Sequence, residues 1–73
     1  MASRETHTFH ESTRVVRGWY TPDEKLIEVE FRRDGVRWLF FNCEPSTWVR
    51  FKTAESPGRY LRLVLERHAN RRR

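Results

Sequence analysis

The sequence predicts an α+β domain: a three-stranded antiparallel β-meander followed by two short helices packed on one face. Three observations carry that expectation. Residues 26–32 alternate, with Ile27, Val29 and Phe31 on one side and Glu28, Glu30 and Arg32 on the other, the period of a half-buried strand. Asp34-Gly35 is a hairpin dipeptide, because both central positions of the tight turn need positive φ. From Pro45 onward the apolar spacing lengthens from two residues to three and four, the change from strand to helix.

The elements follow in order. Residues 1–11 are polar and without apolar periodicity; they read as a flexible arm ahead of a single domain over 12–69, with 70–73 a basic C-terminal tail. Residues 13–20, with Val15, Val16, Trp19 and Tyr20, have strand composition, and Pro22-Asp23 suits the turn after them. A two-residue loop at Asp34-Gly35 sets Phe31 opposite Trp38, Val29 opposite Phe40 and Ile27 opposite Asn42. Trp38 and Phe40 then line the core, while Leu39 and Phe41 share the reverse face with Arg32 and Arg37. A one-residue bulge would exchange the two faces. Asn42 or Cys43 caps a helix over about 45–54 that places Trp48 and Phe51 on one face. Ser56-Pro57 opens a second helix, whose stripe of Tyr60, Leu61, Val64 and Leu65 continues to about Ala69. The expected core is Val16, Ile27, Val29, Phe31, Trp38, Phe40, Trp48, Phe51, Tyr60, Val64 and Leu65.

Composition narrows the function. With 73 residues and 37% hydrophobic content, the chain supports one small core, in which five Phe, three Trp and two Tyr carry much of the burial. Cys43 is the single cysteine, so no internal disulfide staples the fold. The longest apolar stretch, 38–41, is far too short for a membrane, and no apolar leader precedes it, so a cytoplasmic protein without membrane contact is expected. The net charge of +5 is unevenly placed. Residues 58–73 hold Arg59, Arg62, Arg67, Arg71, Arg72 and Arg73 against Glu66 alone, whereas residues 1–57 sum to zero. Such asymmetry points to a polyanionic partner.

A family likeness emerges from five pieces in order. They are Gly18-Trp19-Tyr20; Ile27-Glu28-Val29-Glu30-Phe31 with Gly35; the aromatic–x–aromatic pair Trp38 and Phe40; Asn42-Cys43-Glu44-Pro45 with Trp48; and Ala54-Glu55-Ser56-Pro57-Gly58-Arg59-Tyr60. Together, over roughly 12–67, they resemble the KTSC domain family. The central pair departs from the family's usual Tyr–x–Tyr, keeping aromatic faces and losing both hydroxyls. Pro57 stands where a Lys is common, and Leu61 and Leu63 stand where the family is more polar. The resemblance implies a small domain of bacteria and their phages, also appended to some lysyl-tRNA synthetases, and from that context it implies RNA binding.

Two function classes remain. The leading expectation is a non-catalytic basic module that binds nucleic acid, RNA before DNA, through backbone phosphates. Its contacts would come from Arg59, Arg62, Arg67, the tail Arg71, Arg72 and Arg73, and Arg37 on the sheet. Ser56-Pro57-Gly58-Arg59 could add a phosphate site at the start of the second helix. The other class is a protein-interaction module, phage-encoded and acting on a host protein, that docks through Leu39, Phe41 and Arg32. Trp38 and Phe40 could stack bases if exposed, but a chain so poor in aliphatics needs them inside. His7, His10, His68 and Cys43 do not fall at zinc-ligand spacing, and no nucleophile–base set is evident. Neither metal, cofactor nor catalysis is expected. The chain should be a monomer or a weak homodimer.

Overall fold

The computed structural model describes residues 4–73. Five strands form one antiparallel sheet in chain order: β1 (Glu5–Thr8), β2 (Val15–Thr21), β3 (Leu26–Phe31), β4 (Arg37–Phe40) and β5 (Asn70–Arg72). Helices α1 (Pro45–Thr53) and α2 (Pro57–Leu63) lie in sequence between β4 and β5. The expected class therefore stands, an antiparallel sheet with two helices, but the sheet has five strands rather than three.

Both additional strands come from segments that carry no apolar period. Residues 1–11, read as a flexible arm, contribute β1, and residues 70–73, read as a tail, contribute β5. Thr6 pairs with Trp19 and His7 with Gly18 across β1 and β2. Leu39 pairs with Arg71 across β4 and β5. Edge strands such as these are held by backbone hydrogen bonds to a neighbour, which any polar sequence can make. The first one is also pinned from within: Phe9 follows it into the core and is 4% exposed.

The hairpin between β3 and β4 is wider than a two-residue turn. Ile27 faces Phe40, Val29 faces Trp38 and Glu30 faces Arg37, which leaves a four-residue loop over 32–35. The expected pairs are thus displaced by two residues. A tight turn needs positive φ at both Asp34 and Gly35, yet among the described residues of this loop only Gly35 has it, at 71°. Asp34 instead accepts the Val36 N–H on Oδ1 at 3.1 Å, holding the wider loop. Because a shift of two preserves the side-chain period, each residue keeps its expected face even though its partner changes.

A bulge at Val16 corrects one core assignment. The β2–β3 register slips between Val15 and Arg17, so Val15 turns inward and is fully buried, while Val16 is half-buried. Likewise α2 stops at Leu63 rather than continuing to Ala69. Val64 leaves helical geometry (φ −117°), a single 3₁₀ turn follows, and the chain turns back to form β5. That exit buries Leu61 and Leu65 and leaves Val64 half-exposed. Helix starts match the sequence better. Pro45 and Pro57 open the two helices, and Ser56 Oγ accepts the Arg59 N–H at 3.4 Å, although Glu44 rather than Asn42 or Cys43 occupies the first cap.

The core lies between one face of the sheet and α1. Trp48 stacks on Tyr20 at 5.7 Å between ring centroids, and Phe51 meets Phe9 at 4.9 Å and Tyr60 at 6.1 Å. Gly18 lets these rings approach the sheet, since a Cβ there would lie 3.2 Å from the Trp48 ring and 3.3 Å from Phe9. Phe40 is buried in this layer; Trp38, Phe31 and Tyr60 pack against it while partly exposed. Polar groups entering the core are satisfied. The Tyr20 hydroxyl donates to the Cys43 carbonyl at 2.8 Å, and the Trp48 indole N–H donates to the Glu5 carboxylate at 2.7 Å.

Cys43 is itself fully buried, and burial pushes its thiol up to about 11. At pH 8 the thiolate is then roughly a thousandfold scarcer than the thiol. Alkylation by iodoacetamide should be slower by orders of magnitude in the native protein than in denaturant; comparable rates, read by intact mass, would contradict this packing.

Candidate nucleic-acid interface

The arginines expected to act together divide between two surfaces. Arg59 and Arg62 project from α2 toward a cleft beside the β1–β2 connection, whereas Arg37, Arg71 and Arg73 lie on the sheet face that the helices do not cover. Arg72 sits on the opposite side of β5, paired with Trp38, and Arg67 lies in the 3₁₀ turn. Among the described residues, Arg59, Arg62, Arg67, Arg71 and Arg72 have no carboxylate partner, whereas Arg37 and Arg73 do.

The cleft measures about 810 Å³ and is bounded on one side by residues 7–14 and on the other by Lys52, residues 54–59 and Arg62. Its walls are set by local sequence. Ser12 Oγ accepts the N–H groups of Val15 and Arg14, shaping the connection into β2. Arg32 fastens the same connection from below, donating to the carbonyls of Ser12 and Phe9 at 2.9 and 3.0 Å. Arg32, exposed beyond the end of β3, thus braces this connection. Gly58 closes the far wall, where a Cβ would meet Arg14 at 3.1 Å. Arg14, Arg59 and Arg62 bring three unpaired guanidinium groups to this concavity, against Glu11 and Glu55. Burial, then Lys52 and His10, holds His7 below its ordinary value. The Arg59 N–H is occupied by the Ser56 cap.

The uncovered sheet face is built around Glu28. Its side chain is 5% exposed and accepts from Arg73 at 2.7 Å, Arg4 at 3.2 Å and Arg37 at 3.3 Å. Beside it the Trp19 ring carries Arg37, Arg4 and Arg17 at 4.6, 5.1 and 6.0 Å from its centroid. Leu39, expected to offer an apolar docking surface, is 7% exposed, and Phe41 is half-buried with Arg71 6.0 Å from its ring. The face presented to solvent is thus guanidinium, with its apolar residues underneath.

The family model of the KTSC domain matches residues 11–68. The chain belongs to the KTSC domain family. The fold agrees: the crystal structure of a KTSC domain protein from Yersinia pestis superposes with a TM-score of 0.86 at 22% identity, covering 97% of this chain and 99% of that one. A search of curated proteins gives no match. In this KTSC domain the closing segment 54–60 has a physical location, since Ala54, Ser56 and Gly58 line the cleft. The central pair Trp38 and Phe40 belongs to the core side of the sheet. Among the described residues no helix is long and apolar enough to cross a membrane, and no cluster of three His, Cys, Asp or Glu side chains could hold a metal ion.

Sequence reasoning missed Arg14, Arg4, Arg17 and Trp19. Arg14 reaches the cleft only because Ser12 turns the chain. Arg17 and Trp19 share one face of β2, and Arg4 joins them only because β1 flanks that strand. Gly18-Trp19 was the one available signal, marking a strand whose two faces differ sharply in space.

Proposed function

We propose that this KTSC domain is a non-catalytic module that binds nucleic acid through backbone phosphates. The observation that supports this reading is the convergence of Arg14, Arg59 and Arg62, none held by a carboxylate among the described residues, on one concave surface. Planar guanidinium groups match phosphate in geometry and charge. A groove lined by one sign of charge also concentrates an oppositely charged polymer. RNA is the first polymer to test, because related domains are appended to lysyl-tRNA synthetases.

Fluorescence anisotropy with short labelled RNA and DNA, at two salt concentrations, tests the proposal. Affinity should fall steeply with salt, by about 0.7 logarithmic units per tenfold salt for each phosphate neutralised on a single strand. Arg59→Ala together with Arg62→Ala should weaken binding about tenfold or more and flatten that slope by roughly one to two contacts. The thermal midpoint should hardly move, since both side chains lie on the surface. Unchanged affinity in the double variant would remove the cleft from the interface.

A further inference from the structure

The uncovered sheet face is a second cationic surface, distinct from the cleft in composition. Arg4, Arg17, Arg37, Arg71 and Arg73 lie on it with two carboxylates, Glu28 and Glu30. Glu28 is sunk beneath three of the arginines, and Glu30 faces Arg37 at 3.5 Å, so neither presents free negative charge to an approaching ligand. Glu28 also holds long side chains in place that would otherwise sample many rotamers, removing part of the ordering entropy of a later contact.

The arrangement differs from a plain phosphate site in placing guanidinium groups over an aromatic ring. Arg37 and Arg4 lie 4.6 and 5.1 Å from the Trp19 ring centroid, and their side chains remain 42% and 46% exposed. Trp19 is itself only 9% exposed, so the indole supports the guanidinium groups and does not meet the solvent as a platform. Unstacked bases pack on arginine planes as they do on aromatic rings, whereas a duplex keeps its base faces inside. A lysine in the same place would attract phosphate and offer no plane.

From these observations we infer that the β1–β5 sheet face is a base-stacking surface for single-stranded nucleic acid, with Arg37 and Arg4, supported on Trp19, as the stacking groups and Arg17, Arg71 and Arg73 as phosphate contacts. The inference rests on the nucleic-acid reading of the domain and adds to it the strandedness of the polymer and a second contact surface. Trp19 and Glu28 are positioning residues in this scheme.

The test compares three labelled probes by anisotropy: an eight-nucleotide oligouridine, an abasic chain of the same length and phosphate count, and an RNA duplex of eight base pairs. The native protein should bind oligouridine at least about fivefold more tightly than the abasic chain, the effect of one stacked base. Arg4→Lys with Arg37→Lys keeps the charge and the pairing with Glu28. That variant should reduce the preference to near unity while preserving the salt dependence. Arg50→Lys, at an exposed residue of α1 away from both cationic surfaces, should leave the preference intact and serves as the matched control. Equal affinity of the native protein for the oligouridine and abasic chains overturns the stacking surface and leaves the phosphate reading standing. So does tighter binding of the duplex, or a preference that survives the double lysine variant. Failure of all three probes to bind in dilute buffer overturns both.

Discussion

A chain truncated to begin at His10 should lose most of its stability, although the nine residues removed contain only two large apolar side chains, Met1 and Phe9. Removing them deletes β1 and its pairing with β2, the Phe9 ring packed on Phe51, and the Glu5 carboxylate that receives the Trp48 indole N–H. Burial of the Phe9 side chain alone is worth about 2–3 kcal/mol. The newly exposed edge of β2 would also invite pairing between molecules. A domain of this size has a total stability of about 4–11 kcal/mol at the usual 0.05–0.15 kcal/mol per residue. The truncated protein should therefore melt at least 10–15 °C lower, on the order of several degrees per kcal/mol, or fail to show a cooperative transition. Phe9→Ala should reproduce much of the loss. A truncated chain that melts within two or three degrees of the native one, on the same scale, would mean that residues 4–9 are not integral to the fold.

Phe51→Ala should have a comparable effect from the opposite side of the core. Phe51 is fully buried and contacts Phe9, Trp48 and Tyr60, so it joins the edge strand to both helices. Truncating a buried phenylalanine costs about 3–5 kcal/mol through lost transfer energy and the cavity left behind. That cost falls on a total of the same order. Equilibrium urea unfolding should show a midpoint at half its native value or below, with the slope preserved if the transition remains two-state. Leu63→Ala, on an exposed site of α2, should stay within about 0.5 kcal/mol and serves as the control. Similar midpoints for the two variants would contradict the placement of Phe51.

The parts of this domain legible in the sequence are those with a local physical cause. The alternation around Ile27, Val29 and Phe31 assigned faces correctly because the side-chain period of a strand is independent of its partner. Pro45 and Ser56-Pro57 marked helix starts because φ restriction and capping act within a few residues. Family membership was legible too, since the five motif pieces all fall within residues 11–68, the span the family model matches. The hairpin register was not. Whether Asp34 enters the turn with positive φ or spends its carboxylate on the Val36 N–H depends on small energies that the dipeptide does not reveal. Nor was the division of the arginines. A run such as Arg71-Arg72-Arg73 reads as one cluster, yet on a strand alternate residues face opposite ways, which sends Arg71 and Arg73 to one surface and Arg72 to the other.

The amino-acid order alone determined the class of elements, the two faces of β3 and β4, the starts of both helices and a positive charge weighted toward the C-terminus. Only the tertiary structure decided that Glu5–Thr8 and Asn70–Arg72 are strands, which guanidinium groups Glu28 holds and which remain free around the cleft. The reason is that polar edge strands and surface ion pairs take their free energy from partners distant in sequence. Those partners, Trp19 and Gly18 for β1, Leu39 for β5 and Glu28 for Arg4 and Arg73, come within reach only in the assembled sheet.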